Sequence, residues 1–365
     1  MSFNQSNSSK STSATASSKL VVLGAGAWGT ALAVHAHHAG NEVTLWAYLD
    51  EEKQDIETHR ENKSRLPGVT IPKEITVTTD LSCVKGADYL LVVTPAQVIR
   101  SFLKDLKPHL SENTKLIFCS KGIEIETGSL ISEICSSSIP HHTIGFFSGP
   151  NFAKEIANGA PGASTIAFDA LKDAQDFSNI FSTRMLRVYP NNDIIGVQIG
   201  GAYKNVLAIA AGILKGSGYG ENALAALVTR GLEETSRFAT FKGANPNTLR
   251  GMSGMGDLIL CCYSTTSRNM KLGFDLGKDL AENKGRESIA ESDSQDDSQT
   301  ASQPLTEGAF TVKALHKIAQ SNALDLPLCE AVYSILFEQT SLNATLEKLL
   351  TRNIPTQEIQ NTDTI

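Results

Sequence analysis

Long apolar runs are missing from this 365-residue chain, since none approaches the roughly 20 consecutive residues that cross a bilayer. The stretch before Lys19 lacks the apolar segment of a secretory signal. A surplus of cations is missing too. With 32 Lys and Arg against 39 Asp and Glu, the formal charge is -7, which argues against a general nucleic-acid or membrane-surface binder, because those need a basic face. An anionic ligand must be held by local cations instead. The six cysteines, Cys83, Cys119, Cys135, Cys261, Cys262 and Cys329, make no CxxC pair and no zinc spacing. Neither a metal nor a disulfide is expected, and the thiols read as reduced. A cytoplasmic globular protein is left, with 41% hydrophobic residues and length for about two domains.

What is present sorts into an α/β half and a helical half. Residues 1–18 are rich in Ser and Thr without acidic groups, as in a transit peptide, but lack arginine and an apolar face, so they read as a disordered tail. From Lys19, short β-branched runs at Leu20 to Leu23, Val43 to Trp46, Ile75 to Thr78, Tyr89 to Val93, Leu116 to Cys119 and Ile144 to Phe147 alternate with helical stretches. That is the signature of a doubly wound, Rossmann-type parallel sheet, extended by Ser164 to Phe168 and Leu186 to Tyr189. The pattern changes near Asn191. Leu224, Leu227, Val228, Gly231, Leu232, Thr235, Phe238 and Ala239 share one helical face. The expected division is a dinucleotide-binding domain at 19–191 and an all-α substrate domain at 192–355, with a second tail at 356–365. Residues 282–304, dominated by Glu, Ser, Asp and Gln, read as a mobile insertion.

Gly24-Ala25-Gly26-Ala27-Trp28-Gly29 fits GxGxxG directly after the first strand and opens a helix. Gly24 serves the tight turn, Gly26 admits a pyrophosphate to the backbone and Gly29 lets helix pack on strand, with phosphates at the helix N-terminus. The second strand runs into Trp46-Ala47-Tyr48-Leu49-Asp50. It has neither an acid at its tip for a ribose 2′-hydroxyl nor an arginine for a 2′-phosphate. NAD and NADP both remain open, NADPH slightly favoured.

Further polar segments stand where a core would be apolar: Ser120-Lys121-Gly122, Ser148 to Glu155, Gly200 to Asn205, and Gly251 to Asp257 leading into Ser267-Arg268-Asn269. A helical lysine commonly snorkels at the surface. Lys204 reads either that way or, flanked by Gly200, Gly201, Val206 and Leu207, as partly desolvated, which lowers a lysine pKa. Ser267 can cap a helix from Met270 to Leu280, which reads either as a plain capped start or as a cradle in which Arg268 and free N–H groups hold a phosphate.

In order along the chain, GAGAWGTALA at Gly24, SKGIE at Ser120, SGPNFAKEIA at Ser148, GGAYKN at Gly200, and GDL at Gly256 followed by SRN at Ser267 resemble NAD(P)-dependent glycerol-3-phosphate dehydrogenase, from about Lys19 to Leu350. The resemblance implies interconversion of dihydroxyacetone phosphate and sn-glycerol 3-phosphate, supplying glycerol phosphate for phospholipid synthesis. It implies Lys204 as catalytic acid/base, with Lys121 and Asp257 beside the reacting atoms. It assigns Gly24, Gly26, Ala27, Trp28, Gly29, Tyr48, Lys121, Ala153, Arg268, Leu305 and Glu307 to the cofactor. Lys121, Gly149, Asn151, Lys204, Asn205, Asp257, Ser267, Arg268 and Asn269 fall to the substrate. Three departures stand out: Asn151 for the usual Ser or Thr, Cys261 for the usual Thr, and the long acidic insertion. A homodimer is a family-level expectation. The alternatives are a related dehydrogenase of another small acid or thioester, with a constellation such as a His–Glu pair, and a dinucleotide sensor without turnover.

Overall fold

Alternation along β1 (Lys19–Leu23) decides the architecture. Leu20 and Val22 face one apolar layer, Val21 and Leu23 the other, and all four are buried. A strand apolar on both faces has to lie inside a covered sheet. The computed structural model describes residues 17–282 and 306–353. The two tails and the insertion expected from sequence lie almost entirely outside these described residues, as does Leu305.

The sheet also contains β2 (Glu42–Trp46), β3 (Thr76–Thr78), β4 (Tyr89–Val92), β5 (Lys115–Phe118), β6 (Ile144–Ser148), β7 (Gly162–Phe168) and β8 (Leu186–Asn191), in the spatial order β3-β2-β1-β4-β5-β6-β7-β8. Helices α1 (Ala27–His38), α2 (Asp50–His59), α5 (Ala153–Ala157) and α6 (Leu171–Phe181) contribute to one apolar layer, α3 (Ile99–Leu106) and α4 (Ile131–Ser138) to the other. One pairing departs from the expected parallel sheet: β7 runs antiparallel to β6. The link between them holds only the five-residue α5, and a parallel return needs a crossover long enough to carry the chain back along the sheet.

The helical half starts at once. Asp193 follows β8 and caps α7 (Ile194–Gly216), its carboxylate accepting the Gly196 N–H at 2.9 Å. By length and hydropathy α7 could cross a membrane, which corrects the expectation that no segment could; 83% of its apolar window is buried inside the protein. Gln198, Lys204 and Asn205 interrupt the run, yet the helix as a whole is apolar. It is enclosed by α8 (Glu221–Phe241), α9 (Asp257–Tyr263), α10 (Arg268–Ala281), α11 (Glu307–Asn322) and α12 (Pro327–Phe337). A helix buried all round is a core helix. The last described helix is α13 (Leu342–Leu350), packed on α12.

Helices α7 and α10 meet backbone to backbone. A Cβ on Gly273 would lie 2.0 Å from the Ile209 carbonyl oxygen, and one on Gly212 would lie 2.2 Å from that of Met270. This contact sets the N-terminus of α10 against the middle of α7. Gly273→Ala must therefore force the helices apart and should cost about 1–3 kcal/mol, the usual penalty of overpacking. Urea unfolding checks this, and an unchanged midpoint would show that the contact is softer than its geometry.

Candidate active site

The glycine turn lies at the carboxyl ends of the strands, where the order reverses between β1 and β4, the usual ligand crevice of such sheets. Gly24 has φ +121, and a Cβ there would sit 3.0 Å from the Val93 carbonyl oxygen. A Cβ on Gly29 would lie 1.8 Å from the Gly24 oxygen, whereas one on Gly26 would meet nothing within 4 Å. Gly26 therefore borders open space. It is also the N-cap of α1 and offers no side chain to the free N–H groups of the first turn, which begins with Ala27. Trp28 stacks on Phe147 at 6.4 Å between ring centres. Tyr48, 78% exposed, stands beyond the tip of β2 with its ring edge toward Trp46. Asn62, unmarked by any sequence pattern, is buried and donates to the Ala25 carbonyl at 2.6 Å and to Thr30 Oγ1 at 3.0 Å, bracing the turn.

A charged centre lies across the domain boundary. Lys121, after β5, donates to Asp257 Oδ2 and, at 3.3 Å, to the Gly149 carbonyl. Lys204 on α7 approaches Asp257 Oδ1 at 3.3 Å and Cys261 Sγ at 2.8 Å. Asp257 is 1% exposed. Burial pushes its carboxyl up, but Lys121 and Lys204 outweigh that and hold it below the usual range. Lys204 corrects the sequence expectation of a lowered pKa. Burial does pull it down, yet the Asp257 carboxylate, with Cys261, carries it above the ordinary lysine value. Cys261 follows Asp257 by one helical turn, a spacing that could have marked it. Its thiol lies 3.5 Å from Asp257 Oδ1, and burial raises its pKa.

Two clamps hold the Lys121 segment. Gln97 donates to the Ile123 carbonyl at 2.8 Å and accepts from the Ile125 N–H at 3.0 Å. Arg100 grips Glu124 with both arms at 2.8 and 2.7 Å, drawing the Glu124 carboxyl below its usual range. Neither clamp carries a sequence signal.

The remaining expected residues are held to different degrees. Ser267 caps α10 through the Met270 N–H at 3.4 Å. Arg268, next in line, is exposed. Asn269 donates to Asn205 Oδ1 at 2.9 Å and accepts from the Gly308 N–H at 3.0 Å, so both amides are partly committed to joining α7, α10 and α11. Asn151 donates to the Ala163 carbonyl and to Ser164 on β7, and Ala153 opens α5. Glu307 is in the first turn of α11. There burial raises its carboxyl against the opposing Ala96 backbone and Arg268, and a Cβ on Gly122 would come within 3.0 Å of its Oε2.

Among the described residues, the buried polar atoms without a hydrogen-bond partner include Thr94 Oγ1, Ser148 Oγ, Asn151 Oδ1, Ser253 Oγ and Glu307 Oε2. Buried polar groups rarely stay unpaired. The open space at Gly26, before the free N–H groups that start α1, fits a phosphate-bearing cofactor in the crevice. A groove of about 550 Å³ between α12 and α13 is lined by none of these unpaired atoms.

Comparison with known proteins finds a match for each half of the chain. Residues 19–174 match the family model of the NAD-dependent glycerol-3-phosphate dehydrogenase N-terminus, and residues 193–347 that of its C-terminus. A glycerol-3-phosphate dehydrogenase (NAD(P)+) of Parvibaculum lavamentivorans is 40% identical over 92% of this chain and 96% of its own. One from Bradyrhizobium diazoefficiens is 41% identical over 94% of this chain and all of its own. The crystal structure of glycerol-3-phosphate dehydrogenase from Coxiella burnetii superposes with a TM-score of 0.81 at 31% identity, over 92% of this chain and 99% of that one. The sheet with its glycine turn and the helices with their buried lysine are thus matched half by half and in order, and the chain belongs to the NAD-dependent glycerol-3-phosphate dehydrogenase family.

Proposed function

We propose that this protein interconverts dihydroxyacetone phosphate and sn-glycerol 3-phosphate with Lys204 as the proton donor and acceptor. The observation that carries the reading is Asp257, buried between Lys121 and Lys204 at the crevice of the glycine turn. NAD(P)H bound there would supply the hydride. Gly26 and the N-terminus of α1 would receive its pyrophosphate, with Gly24 and Gly29 keeping the turn tight around it, Tyr48 would offer an exposed ring at the adenosine end, and Ala153, Glu307 and Arg268 would border the rest.

For ketone reduction the raised pKa of Lys204 is an advantage. Lys204 stays an ammonium at neutral pH, aims a proton at the substrate C2 oxygen and offsets negative charge developing there. Asp257 holds Lys204 in line without taking its proton, because its own carboxyl is kept ionised by two cations. Lys121 adds a second positive charge toward the substrate. Oxidation asks the reverse: Lys204 must first lose its proton, so a raised pKa favours reduction. Arg268 and the capped start of α10 hold the phosphate, with Asn151, Gly149, Asn205 and Asn269 shaping the cavity around it. Six free cysteines suit the cytoplasm, where reduction would supply glycerol phosphate to lipid synthesis.

Three outcomes follow. Lys204→Ala should lower turnover by about 10²-fold or more while dinucleotide still quenches tryptophan fluorescence; near-normal turnover would remove Lys204 from the chemistry. In Asp257→Asn the cation loses the partner that raises its pKa and burial is left to lower it, so reduction should fail at lower pH than in the unsubstituted protein. A pH–rate profile unmoved by this change would refute the coupling. Arg268→Ala should raise KM for dihydroxyacetone phosphate roughly tenfold or more, the weight of a charged hydrogen bond, and steady-state kinetics showing an unchanged KM would move the phosphate elsewhere.

A further inference from the structure

The tip of β2, where the adenosine ribose of a dinucleotide lies, carries no cation. Tyr48 and Leu49 are exposed there, and the first turn of α2 adds three acids, Asp50, Glu51 and Glu52. Asp50 is engaged, accepting from Thr79 Oγ1 at 2.6 Å. Left to these groups, the tip would repel a ribose 2′-phosphate.

Arg65 supplies the missing cation. It belongs to the segment after α2 that Asn62 ties to the glycine turn through the Ala25 carbonyl. Asn62 Oδ1 also accepts the Arg65 N–H at 3.2 Å, and the next residue, Leu66, is 3% exposed. The Arg65 backbone is thereby fixed beside the crevice while its side chain, 63% exposed, reaches back to the first turn of α2. Its Nε stands 4.0 Å from Glu52 Oε1, a separation too long for a hydrogen bond. Glu52 is the more covered partner, and burial raises its carboxyl although Arg65 opposes this. A pair this long and this exposed holds its guanidinium weakly. A guanidinium matches phosphate geometry with two parallel N–H donors, so exchanging Glu52 for a phosphate group at the same place improves its bonding.

We propose that Arg65 reads the ribose 2′-phosphate of NADP(H), with Glu52 accepting the 2′-hydroxyl of NAD(H), so that this pair and not the tip of β2 sets dinucleotide preference. The proposal rests on the crevice being a dinucleotide site. Calorimetric titration with 2′,5′-ADP and 5′-ADP separates the two, because both probes lack nicotinamide and need no turnover. Arg65→Ala is expected to weaken 2′,5′-ADP tenfold or more and to leave 5′-ADP within about twofold, with Arg65→Lys between. Glu52→Gln is expected to weaken 5′-ADP while sparing 2′,5′-ADP. Equal losses for both probes, or none, in a variant with unchanged thermal midpoint would overturn the role of Arg65 alone. If the unsubstituted protein binds neither probe, the dinucleotide reading of the crevice falls, and this proposal with it.

Discussion

One buried carboxylate organises the molecule. Asp257 carries negative charge at 1% exposure, a state that costs several kcal/mol per ion unless charge and hydrogen bonds compensate it. Two lysines compensate it, one from the loop after β5 and one from the middle of α7. Removing either would leave Asp257 with one cation where it now has two. The sheet half and the helical half are consequently locked in one arrangement by the chemistry they share. The glycines of α7 follow from this. A Cβ on Gly201 would come within 2.8 Å of Ser148 Oγ and 3.4 Å of Lys121 Cγ, and one on Gly200 within 2.5 Å of the Ser253 oxygen. Only side-chain-free positions allow α7 to come close enough for Lys204 to reach Asp257.

Rigidity around the centre is distributed in the same spirit. The Gln97 and Arg100–Glu124 clamps fix the loop that delivers Lys121. The amide chain Asn205–Asn269–Gly308 joins three helices behind Lys204. Glu234, 2% exposed, accepts from Tyr203, the neighbour of Lys204, at 2.6 Å and from the Leu328 and Cys329 N–H groups that open α12. Charges and amides held this way need little reorganisation when charge develops in a reaction.

What could be read from sequence tracks how local the physics is. The glycine turn, the strand before it and the cap at Ser267 depend on residues a few positions apart, and the structure has them where the pattern put them. The direction of β7 and the covered character of α7 depend on neighbours far along the chain. So does the pKa of Lys204, whose local apolar flanks predict a fall while Asp257, remote in sequence, produces a rise. Asn62 and Arg65 escaped for the same reason: each acts on a segment that only folding brings near.

Cys261 shows how finely the charge of the centre is set. If its thiol were ionised, two anions would face Lys121 and Lys204, and the cluster would be neutral toward an incoming phosphate ester. Burial raises the thiol pKa and, although Lys204 pulls the other way, the net shift is upward. The protonated thiol can then donate toward Asp257 while accepting from Lys204, which positions the lysine without spending its charge. One net positive charge is left beside the crevice, in a chain whose formal balance is -7. An anionic substrate is therefore drawn to a feature of the fold, since the composition as a whole would repel it.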